Sequence, residues 1–496
     1  MEDTFVLNST DNCPSAEIAT EPIEPTIKRN LLLYLLVTAI SFTVLVLPSM
    51  AGVSVPIFVI IQAGGLYYLS PQKKYLLVLI PIFILALNSF ISANPMWQVA
   101  NLIIAAVLYS LMAVWNVYGI SLKDTSPTLF VRLAQVFGRA FLRVQLPIKW
   151  GSEAKAESIP TLRRILLAIG ISIPVVMFLI VMLSRADMIF DRAISHIFES
   201  LINLIQLNII GRILLGIIVG LYLFGILYGI LVRKNETSEK VEIKQIAGDA
   251  MIICVVLTSV LFVYTLFVAI QFRYLFAAPD SLPYGLTFVT YARRGFFELL
   301  FLSFVNIASI LVAVWLTKMQ QGRGAKIAKF LCLYLCAVTV ILLVSSFYRM
   351  WLYSTDDGLT RMRLLVFGFL IFECIGLIFT FFYVMKPKFN IILVYCLIAL
   401  SYYLMLNLVP IDRIIAREQI NRYFATGQGG INYALSLSPD AAPEIVRLFA
   451  SENPQIQENV HAYFGALEGR RGWRQWNISR SRGMQSYQQR MATSQR

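Results

Sequence analysis

Charged residues are scarce in this sequence. Only 14% of its 496 residues are Asp, Glu, Lys or Arg, whereas 58% are hydrophobic; soluble domains carry about 25% charged residues. Apolar runs of about 20 residues recur along most of the chain, and each is long enough to cross a hydrocarbon layer of about 30 Å. Since backbone groups in lipid must be bonded within their own segment, these runs predict helices. The composition excludes an ordinary soluble multidomain protein and predicts an all-α, polytopic integral membrane protein.

Side chains and motifs that usually carry chemistry are missing as well. The chain has two histidines, and five of its six cysteines lie inside apolar runs, where a thiol packs as a small hydrophobic group. Neither set has the spacing of a zinc site or of a disulfide framework. The phosphate-binding loop GxxxxGK[ST] and the HExxH and GxSxG motifs are absent. We therefore expect no metal, no cofactor and no catalytic residue.

The beginning of the chain lacks a secretory signal. Residues 1–30 are polar, acidic and proline-containing, with neither the basic start nor the early apolar core of such a signal. We predict that they form a disordered cytoplasmic tail and that the first apolar run acts as an uncleaved signal.

About eleven apolar runs follow this tail, and we predict one transmembrane helix for each. Their approximate bounds are Leu31–Leu47, Val53–Leu69, Tyr75–Ala93, Trp97–Tyr118, Ile165–Leu183, Ile209–Val232, Ala250–Ile270, Phe296–Thr317, Ala328–Phe347, Leu364–Val384 and Phe389–Leu408.

Lysine is absent from every second loop of this eleven-span order. All lysines fall before span one or in the loops after the even-numbered spans, whereas the basic residues of the alternate loops are all arginines. Basic residues in short loops favour the cytoplasmic side, so the asymmetry predicts a cytoplasmic amino terminus. An odd number of spans then places the carboxyl-terminal part on the extracytoplasmic side. That part holds eleven arginines and no lysine, in keeping with the other loops of that side.

Four further segments follow from this organisation. Residues 31–118 hold spans one to four, and residues 165–410 hold spans five to eleven. Between them, residues 119–164 form a cytoplasmic connector. Its stretch "LFVRLAQVFGRAFLRV" is typical of a basic amphipathic helix that lies on an anionic membrane surface; a helix packed under the bundle is the alternative. The pattern in residues 411–496 predicts short helices, with enough aromatic side chains for a small packed helical module.

Arginines and acids gather at the span ends on the predicted extracytoplasmic side. The stretch "YARRGFFELLF" places two arginines at the start of span eight, with Glu298 one helical turn after Arg294. Further charges come from "FRYLF", from "YRMWLYSTDDGLTRMR" and from "IDRIIAREQINRY". Together they form either a structural ion-pair network or an anion-binding vestibule. The arginines are Arg273, Arg293, Arg294, Arg349, Arg361, Arg363 and Arg413, and the acids that would face them are Asp187, Glu298, Asp356 and Asp412.

Glu373 is the one acid near the middle of a predicted span. Burial in lipid favours the neutral form of a carboxyl group and requires a partner for it, so an acid at this depth is a candidate functional residue. The alternative is a protonated glutamate that is hydrogen-bonded to a neighbouring helix.

Several of these stretches occur together in one known family. "YARRGFFEL", "YRMWLYSTDDGLTRMR", "AREQINRY", "LSLSPDAAPEIVRL" and "GWRQWNISRSR" resemble a bacterial family of multipass membrane proteins, the domain of unknown function 4173, which is related to family 4153. The resemblance covers residues 160–485. Where that family often has Tyr-Gly-Leu-Thr, this chain has Asp357-Gly358-Leu359-Thr360. The resemblance implies a membrane fold class and no assigned activity.

These observations favour a non-enzymatic protein of the bacterial inner membrane that acts in signalling or envelope homeostasis. Its arginine-rich extracytoplasmic face would bind an anionic ligand, a lipid headgroup or an envelope protein. A secondary transporter or transport-associated permease that uses Glu373 and these arginines is the alternative, and an envelope enzyme with extracytoplasmic carboxylates is a third hypothesis. We expect membrane lipid among the partners and no nucleic acid.

Overall fold

The computed structural model describes most of the chain as helices joined by short turns. No strand occurs in the part of the chain that it describes, and the predicted all-α class is confirmed. The described residues are 24–47, 52–70, 73–118, 128–151, 187–207, 209–232, 249–275, 296–317, 322–469 and 472–494, with part of 172–184.

The helices fall into three groups along the chain. The first group is α1 (Pro25–Ser41, continued by a π-turn over Phe42–Val46), α2 (Ser54–Leu69), α3 (Leu79–Ile91, preceded by a 3-10 helix over Lys73–Val78), α4 (Pro95–Tyr118), α5 (Thr128–Leu142), α6 (Gln145–Gly151), α7 (Met188–Leu207) and α8 (Ile209–Val232). The second is α9 (Ala250–Leu275), α10 (Phe296–Thr317), α11 (Arg323–Asp357), α12 (Arg361–Met385) and α13 (Ile391–Leu408). The third is α14 (Ile411–Thr426), α15 (Ile431–Leu435), α16 (Ala442–Ile445), α17 (Pro454–Leu467) and α18 (Ile478–Ser494), with 3-10 turns at Pro439–Ala441, Val446–Ala450 and Trp473–Gln475.

Eight of the described helices are long and apolar enough to cross a membrane, and α2 and α3 are shorter apolar helices. Large hydrophobic side chains face outward on these helices; Phe262 is 72% exposed and Ile210 is 73% exposed. Outward apolar side chains suit helices whose solvent is lipid, because lipid tails are as apolar as the side chains themselves. The chain is therefore a multipass membrane protein. The fifth predicted span, Ile165–Leu183, lies largely outside the described residues.

The first helix begins earlier than the sequence pattern predicts. It starts at Pro25, inside the segment assigned to a disordered tail, so the predicted boundary at residue 30 is wrong. Proline suits the first turn of a helix because the N–H that it lacks would have no helical partner there. Lys28 in the next turn lies over the ring of Trp150, 5.6 Å from the ring centre, so its charge is accommodated at the end of the bundle.

The connector helix α5 packs on the bundle, which favours the second of the two predicted arrangements. Its buried side chains Val136 and Ala140 belong to a core shared with α4 and α8. Just after α5, Arg143 is only 8% exposed and donates a hydrogen bond of 2.8 Å to the carbonyl of Gly225 in α8. Arg143 therefore meets a helix backbone, and the buried face of α5 fits a helix packed on the bundle.

Three buried cores organise the described residues. One is formed mainly by α1–α5 and α8, one by α9–α13, and one by the carboxyl-terminal helices with Trp97 of α4. Helix α13 also packs against α3 and so joins the first two groups. The contact between the two groups is polar: Asn101 donates to Asn407 Oδ1 at 2.8 Å, and Tyr403 donates to Asn101 Oδ1 at 2.7 Å. Such bonds hold helices together in lipid, where apolar contact brings no hydrophobic gain.

Gly225 permits the close approach of α5 and α8. A Cβ placed there would lie 2.3 Å from the carbonyl oxygen of Ala140, whereas a Cβ at Gly138 would meet no atom within 4 Å. We expect Gly225→Ala to lower the free energy of unfolding by about 1–3 kcal/mol through overpacking. Gly138→Ala is the matched control and should leave it unchanged or raise it slightly. Reversible unfolding in detergent measures both, and equal effects would contradict the packing of α5 on α8.

Candidate functional site

The carboxyl-terminal helices α14–α18, residues 411–494, form a module at one end of the helical bundle. Helix α13 ends at Leu408 and α14 begins at Ile411, so only Val409 and Pro410 separate them. This short elbow keeps the first turn of α14 close to the end of the bundle. As a result, Asp412 lies beside the α3–α4 loop and the α11–α12 turn.

Asp412 accepts hydrogen bonds from three other segments, although it is only 1% exposed. Arg361, the first residue of α12, donates from Nε at 2.6 Å and from Nη2 at 2.7 Å. Asn94 of the α3–α4 loop donates from Nδ2 at 3.2 Å, and the backbone N–H of Ser438 donates at 3.1 Å. We call these four residues the Asp412 cluster. A buried carboxylate needs such donors, so the cluster fixes the ends of three segments in one place.

The α3–α4 loop is held by two further side chains of the module. Asp440 accepts from the hydroxyl of Ser92 and from the backbone N–H of Ala93, the latter at 2.8 Å. Asn477 donates from Nδ2 to the carbonyls of Ser89 and Ser92 at 3.0 and 2.8 Å. The polar backbone groups of this loop thus find their partners in the module.

The α11–α12 turn is a second docking point for α14. Gly358 has a φ of +76°, a conformation that favours glycine, and a Cβ there would lie 2.6 Å from Gln419 Nε2. Leu359 is held at both backbone groups: its N–H donates to Glu418 Oε2 at 3.0 Å, and its carbonyl accepts from Gln419 Nε2 at 2.9 Å. The turn at which the sequence departs from the 4173 pattern is therefore part of the module interface.

Three arginines converge on one buried carboxylate inside the module. The side chain of Glu444 is 6% exposed and receives Arg417 Nη2 at 2.9 Å, Arg413 Nε at 3.1 Å and Arg447 Nη1 at 3.3 Å. We call these residues the Glu444 cluster; it has two positive charges in excess. Burial acts to raise the pKa of Glu444, but the hydrogen bonds from Arg417 and Arg413 and the charge of Arg417 outweigh it. The pKa of Glu444 therefore lies below its ordinary value.

A cavity of about 220 Å³ lies between the module and the end of the bundle. We call it the junction cavity. Its walls come from the α3–α4 loop, the elbow after α13 and the first turns of α18. Arg413 and Arg482 contribute guanidinium groups to its lining, and Asn94 and Ser479 contribute neutral polar groups. Asp440 also lines it, with its carboxylate bonded to the α3–α4 loop. The junction cavity can therefore offer hydrogen-bond donors and positive charge to a bound group.

Besides Arg413, which lies in the module and lines the junction cavity, three of the arginines singled out in the sequence lie near the module. Arg361 belongs to the Asp412 cluster, so one ion pair of the predicted set is present. Arg363 is 7% exposed and lies over the ring of Tyr353, 3.8 Å from its centre. Arg349 is 5% exposed on α11. These guanidinium groups are buried among helices and do not line the junction cavity.

The other predicted site residues are placed elsewhere. Glu298 is exposed in the first turn of α10, and Glu373 is buried in the middle of α12. Arg293, Arg294 and the side chain of Arg273 lie outside the described residues. The structure therefore does not gather the predicted set into a single vestibule within the part of the chain that it describes.

Sequence reasoning missed three arginines of this region, Arg417, Arg447 and Arg482. Two local signals were present: Arg413 and Arg417 are one helical turn apart, and Glu444 precedes Arg447 by three residues. Neither spacing shows that α14 and α16 face one another, and this pairing is what brings the charges together.

One known family covers the elements that build this region. The family model described as Domain of unknown function (DUF4153) matches residues 79–448, about three quarters of the chain. The chain belongs to this family. The DUF4153 match begins at α3 and ends just after the Glu444 cluster, so it includes the bundle and the first part of the module. It confirms the family resemblance and extends it to residues before 160. Among curated proteins and among solved structures, no match was found.

Removal of either partner of the Arg361–Asp412 pair should destabilise the fold. Arg361→Ala leaves a fully buried carboxylate, whereas Asp412→Ala leaves a guanidinium side chain that is 30% exposed. We expect Arg361→Ala to lower the free energy of unfolding by about 3 kcal/mol and Asp412→Ala to lower it by less. The coupling energy between the two changes should be about 1 kcal/mol or more. Unfolding of both single variants and the double variant in detergent measures these quantities. Strictly additive losses would show that the two side chains act independently.

Glu444 should make the stability of the protein fall in acid. Because its pKa is lower in the folded state, its contribution is present above the unfolded pKa of about 4.3 and is lost as the pH falls through the folded pKa. We expect the difference in thermal midpoint between the wild type and Glu444→Gln to be largest near neutral pH and to shrink in acid. Glu452→Gln, at an exposed glutamate of the same module, is the control. A constant difference between wild type and Glu444→Gln across the pH range would refute this role.

Proposed function

We propose that this protein is a membrane-embedded binding protein whose junction cavity takes an anionic group of the phosphate or carboxylate type. The observation that carries the proposal is the lining of that cavity, where Arg413 and Arg482 meet neutral donors at the border of bundle and module. Guanidinium groups suit such ligands because they donate two parallel hydrogen bonds to a pair of anionic oxygens.

The charge balance around the cavity supports an anion as the ligand. The Glu444 cluster and the cavity lining together hold four arginines and two acids, and both acids are occupied by protein donors. The lining alone has an excess of one positive charge, and with the neighbouring Glu444 cluster the excess is two. Positive charge at a partly enclosed site attracts anions and is less screened by salt than charge on an open surface. A water molecule takes about 30 Å³, so 220 Å³ accommodates a phosphate-sized group with several waters.

The location and role of the protein belong to the same proposal. The one-sided distribution of lysine supports a cytoplasmic amino terminus and an extracytoplasmic module in a bacterial inner membrane. In that orientation, the junction cavity opens toward the envelope, at the level of the outer lipid headgroups. Binding there would suit a signalling or envelope-homeostasis component.

A secondary transporter is the second candidate, and Glu373 is the observation that favours it. This carboxyl group is 2% exposed within the core of α9–α13. Burial of an acid there costs free energy, so its presence favours a functional role. A transporter would have to pass its substrate between the junction and this core, whereas a binding protein needs the junction alone.

Arg482 should contribute to anion affinity, and Arg490 should not. Both are exposed arginines of α18, but only Arg482 lines the junction cavity. We expect Arg482→Gln to weaken anion binding about tenfold, the effect of losing one charge-assisted hydrogen bond, and Arg490→Gln to leave it unchanged. Binding is measured on the full chain in nanodiscs, from the rise in its thermal midpoint. In one experiment inorganic phosphate is added to discs of phosphatidylcholine; in the other the discs contain phosphatidylglycerol and no phosphate is added.

The comparison of these two experiments identifies the source of the anion. Stabilisation by phosphatidylglycerol alone indicates a lipid headgroup, and stabilisation by phosphate in neutral discs indicates a free anion. Equal behaviour of the two arginine variants, or stabilisation by neither probe, would overturn the proposal. Phosphate uptake into proteoliposomes that stops in Glu373→Gln would favour the transporter.

A further inference from the structure

Glu373 lies in an apolar part of the second helical group. Its neighbours along the buried face of α12 are Leu370 and Leu377, and the carboxyl group is almost completely enclosed. No lysine or arginine of the described residues forms an ion pair with it. A carboxylate without a counter-charge is strongly disfavoured at such a position.

The hydrogen bonds of Ser303 determine the protonation of this carboxyl group. The Ser303 hydroxyl on α10 lies 2.6 Å from Glu373 Oε2 and 2.7 Å from the carbonyl oxygen of Leu300. A serine hydroxyl has one proton to donate, and a backbone carbonyl can only accept. If Ser303 donates to Leu300, the short contact with Glu373 needs a second proton, and Glu373 must supply it. An ionised Glu373 would leave one of the two oxygen pairs in contact with no proton between them.

We propose that Glu373 is a proton-binding site of the bundle, occupied in this structure, in which its carboxylic acid donates to Ser303 Oγ while Ser303 donates to the carbonyl of Leu300. When the proton leaves, the Ser303 hydroxyl turns and donates to the carboxylate, and its bond to Leu300 is lost. One proton is released, the bond between Glu373 and Ser303 reverses its direction, and one hydrogen bond within α10 is lost, so the site couples a change of charge to a change in the contact between α10 and α12.

The helices packed against α12 are α10, α11, α13 and α14. Their titratable or charged side chains toward α12 and its ends are Glu298 on α10, Lys329, Cys332, Cys336, Arg349 and Tyr353 on α11, Tyr395, Cys396, Tyr402 and Tyr403 on α13, and Asp412 on α14. Lys329 donates to the carbonyl of Met385 at the far end of α12, at 3.0 Å. Tyr395 is near enough to interact electrostatically with Glu373, and its hydroxyl donates to the carbonyl of Gly376 at 2.9 Å. The acids, the arginine and the lysine lie toward the ends of these helices. No group among these supplies a positive charge at the level of Glu373.

Two buried hydroxyl groups of α11 lie near the level of Glu373. The rings of Phe347 and Phe367 are in contact, 5.3 Å between centres, and α11 and α12 run antiparallel. Ser345 and Ser346 therefore lie between that level and the level of Glu373. Both hydroxyls are buried and, like Glu373 Oε1, have no hydrogen-bond partner among the described residues. They lie on the module side of Glu373.

Infrared spectroscopy of the full chain in lipid nanodiscs tests the proposal. We expect a protonated-carboxyl band at neutral pH in the wild type and in Glu298→Gln, an exposed glutamate that serves as the control. The band should be absent in Glu373→Gln. In Ser303→Ala it should shift to higher wavenumber, because the carboxyl group loses its hydrogen-bond acceptor, a change that a merely structural role would not produce.

Glu373→Gln should fold, because its amide N–H can donate to Ser303 as the acid does. If Glu373→Gln does not fold, the proposal is tested by the spectrum of Ser303→Ala and by chemical labelling of the wild type. Dicyclohexylcarbodiimide attacks only the protonated acid, so mass spectrometry should find the adduct on Glu373, and less of it as the pH rises. A spectrum without a band that depends on Glu373, or a band that Ser303→Ala does not move, would overturn the proposal.

Discussion

The buried charge of Asp412 is the interaction on which the arrangement of the molecule depends. Its carboxylate is bonded to the start of α12, to the α3–α4 loop and to the module itself. Around this point the apolar core of the module also takes in Trp97 of α4 and packs against Leu364 of α12, so the buried ion pair lies within a shared core. A desolvated carboxylate tolerates little displacement of its donors. It therefore fixes the module relative to both helical groups, and the junction cavity takes its shape from that position.

Within the membrane the same constraint acts on neutral groups. Lipid offers no hydrogen bond to a polar side chain, so each one must find a partner on another helix. Asn101, Asn407 and Tyr403 meet this requirement together where α13 passes α3 and α4. Arg143 meets it on the backbone carbonyl of Gly225, and the absence of a side chain at Gly229 leaves room for the guanidinium. The helical groups are thus joined by a few polar contacts, and their outer surfaces are free to face lipid.

The sequence is informative where apolar length alone decides the structure. The predicted spans Ile209–Val232 and Phe296–Thr317 coincide with α8 and α10. Helix α11 extends far beyond the predicted Ala328–Phe347, because its last turns are polar yet pack on α12, which hydropathy does not register. The same limit applies to the site. Arg361 is recognisable as a candidate, but its bidentate bond to Asp412 depends on the fold of the intervening chain, as do the contacts of Glu444 with α14.

Helix α12 links the two regions to which function is assigned here. Arg361 begins it at the module, and Glu373 lies about twelve residues later, roughly 18 Å along a helix axis. A ligand at the proposed junction site would compete for the donors of Arg413, and a resulting movement of the Asp412 cluster would act on the start of α12. A helix transmits such a displacement along its axis because its backbone bonds are continuous. Glu373 contacts α10 through a short hydrogen bond with Ser303. A small shift of α12 would therefore be enough to change the length of that bond and the affinity of Glu373 for its proton.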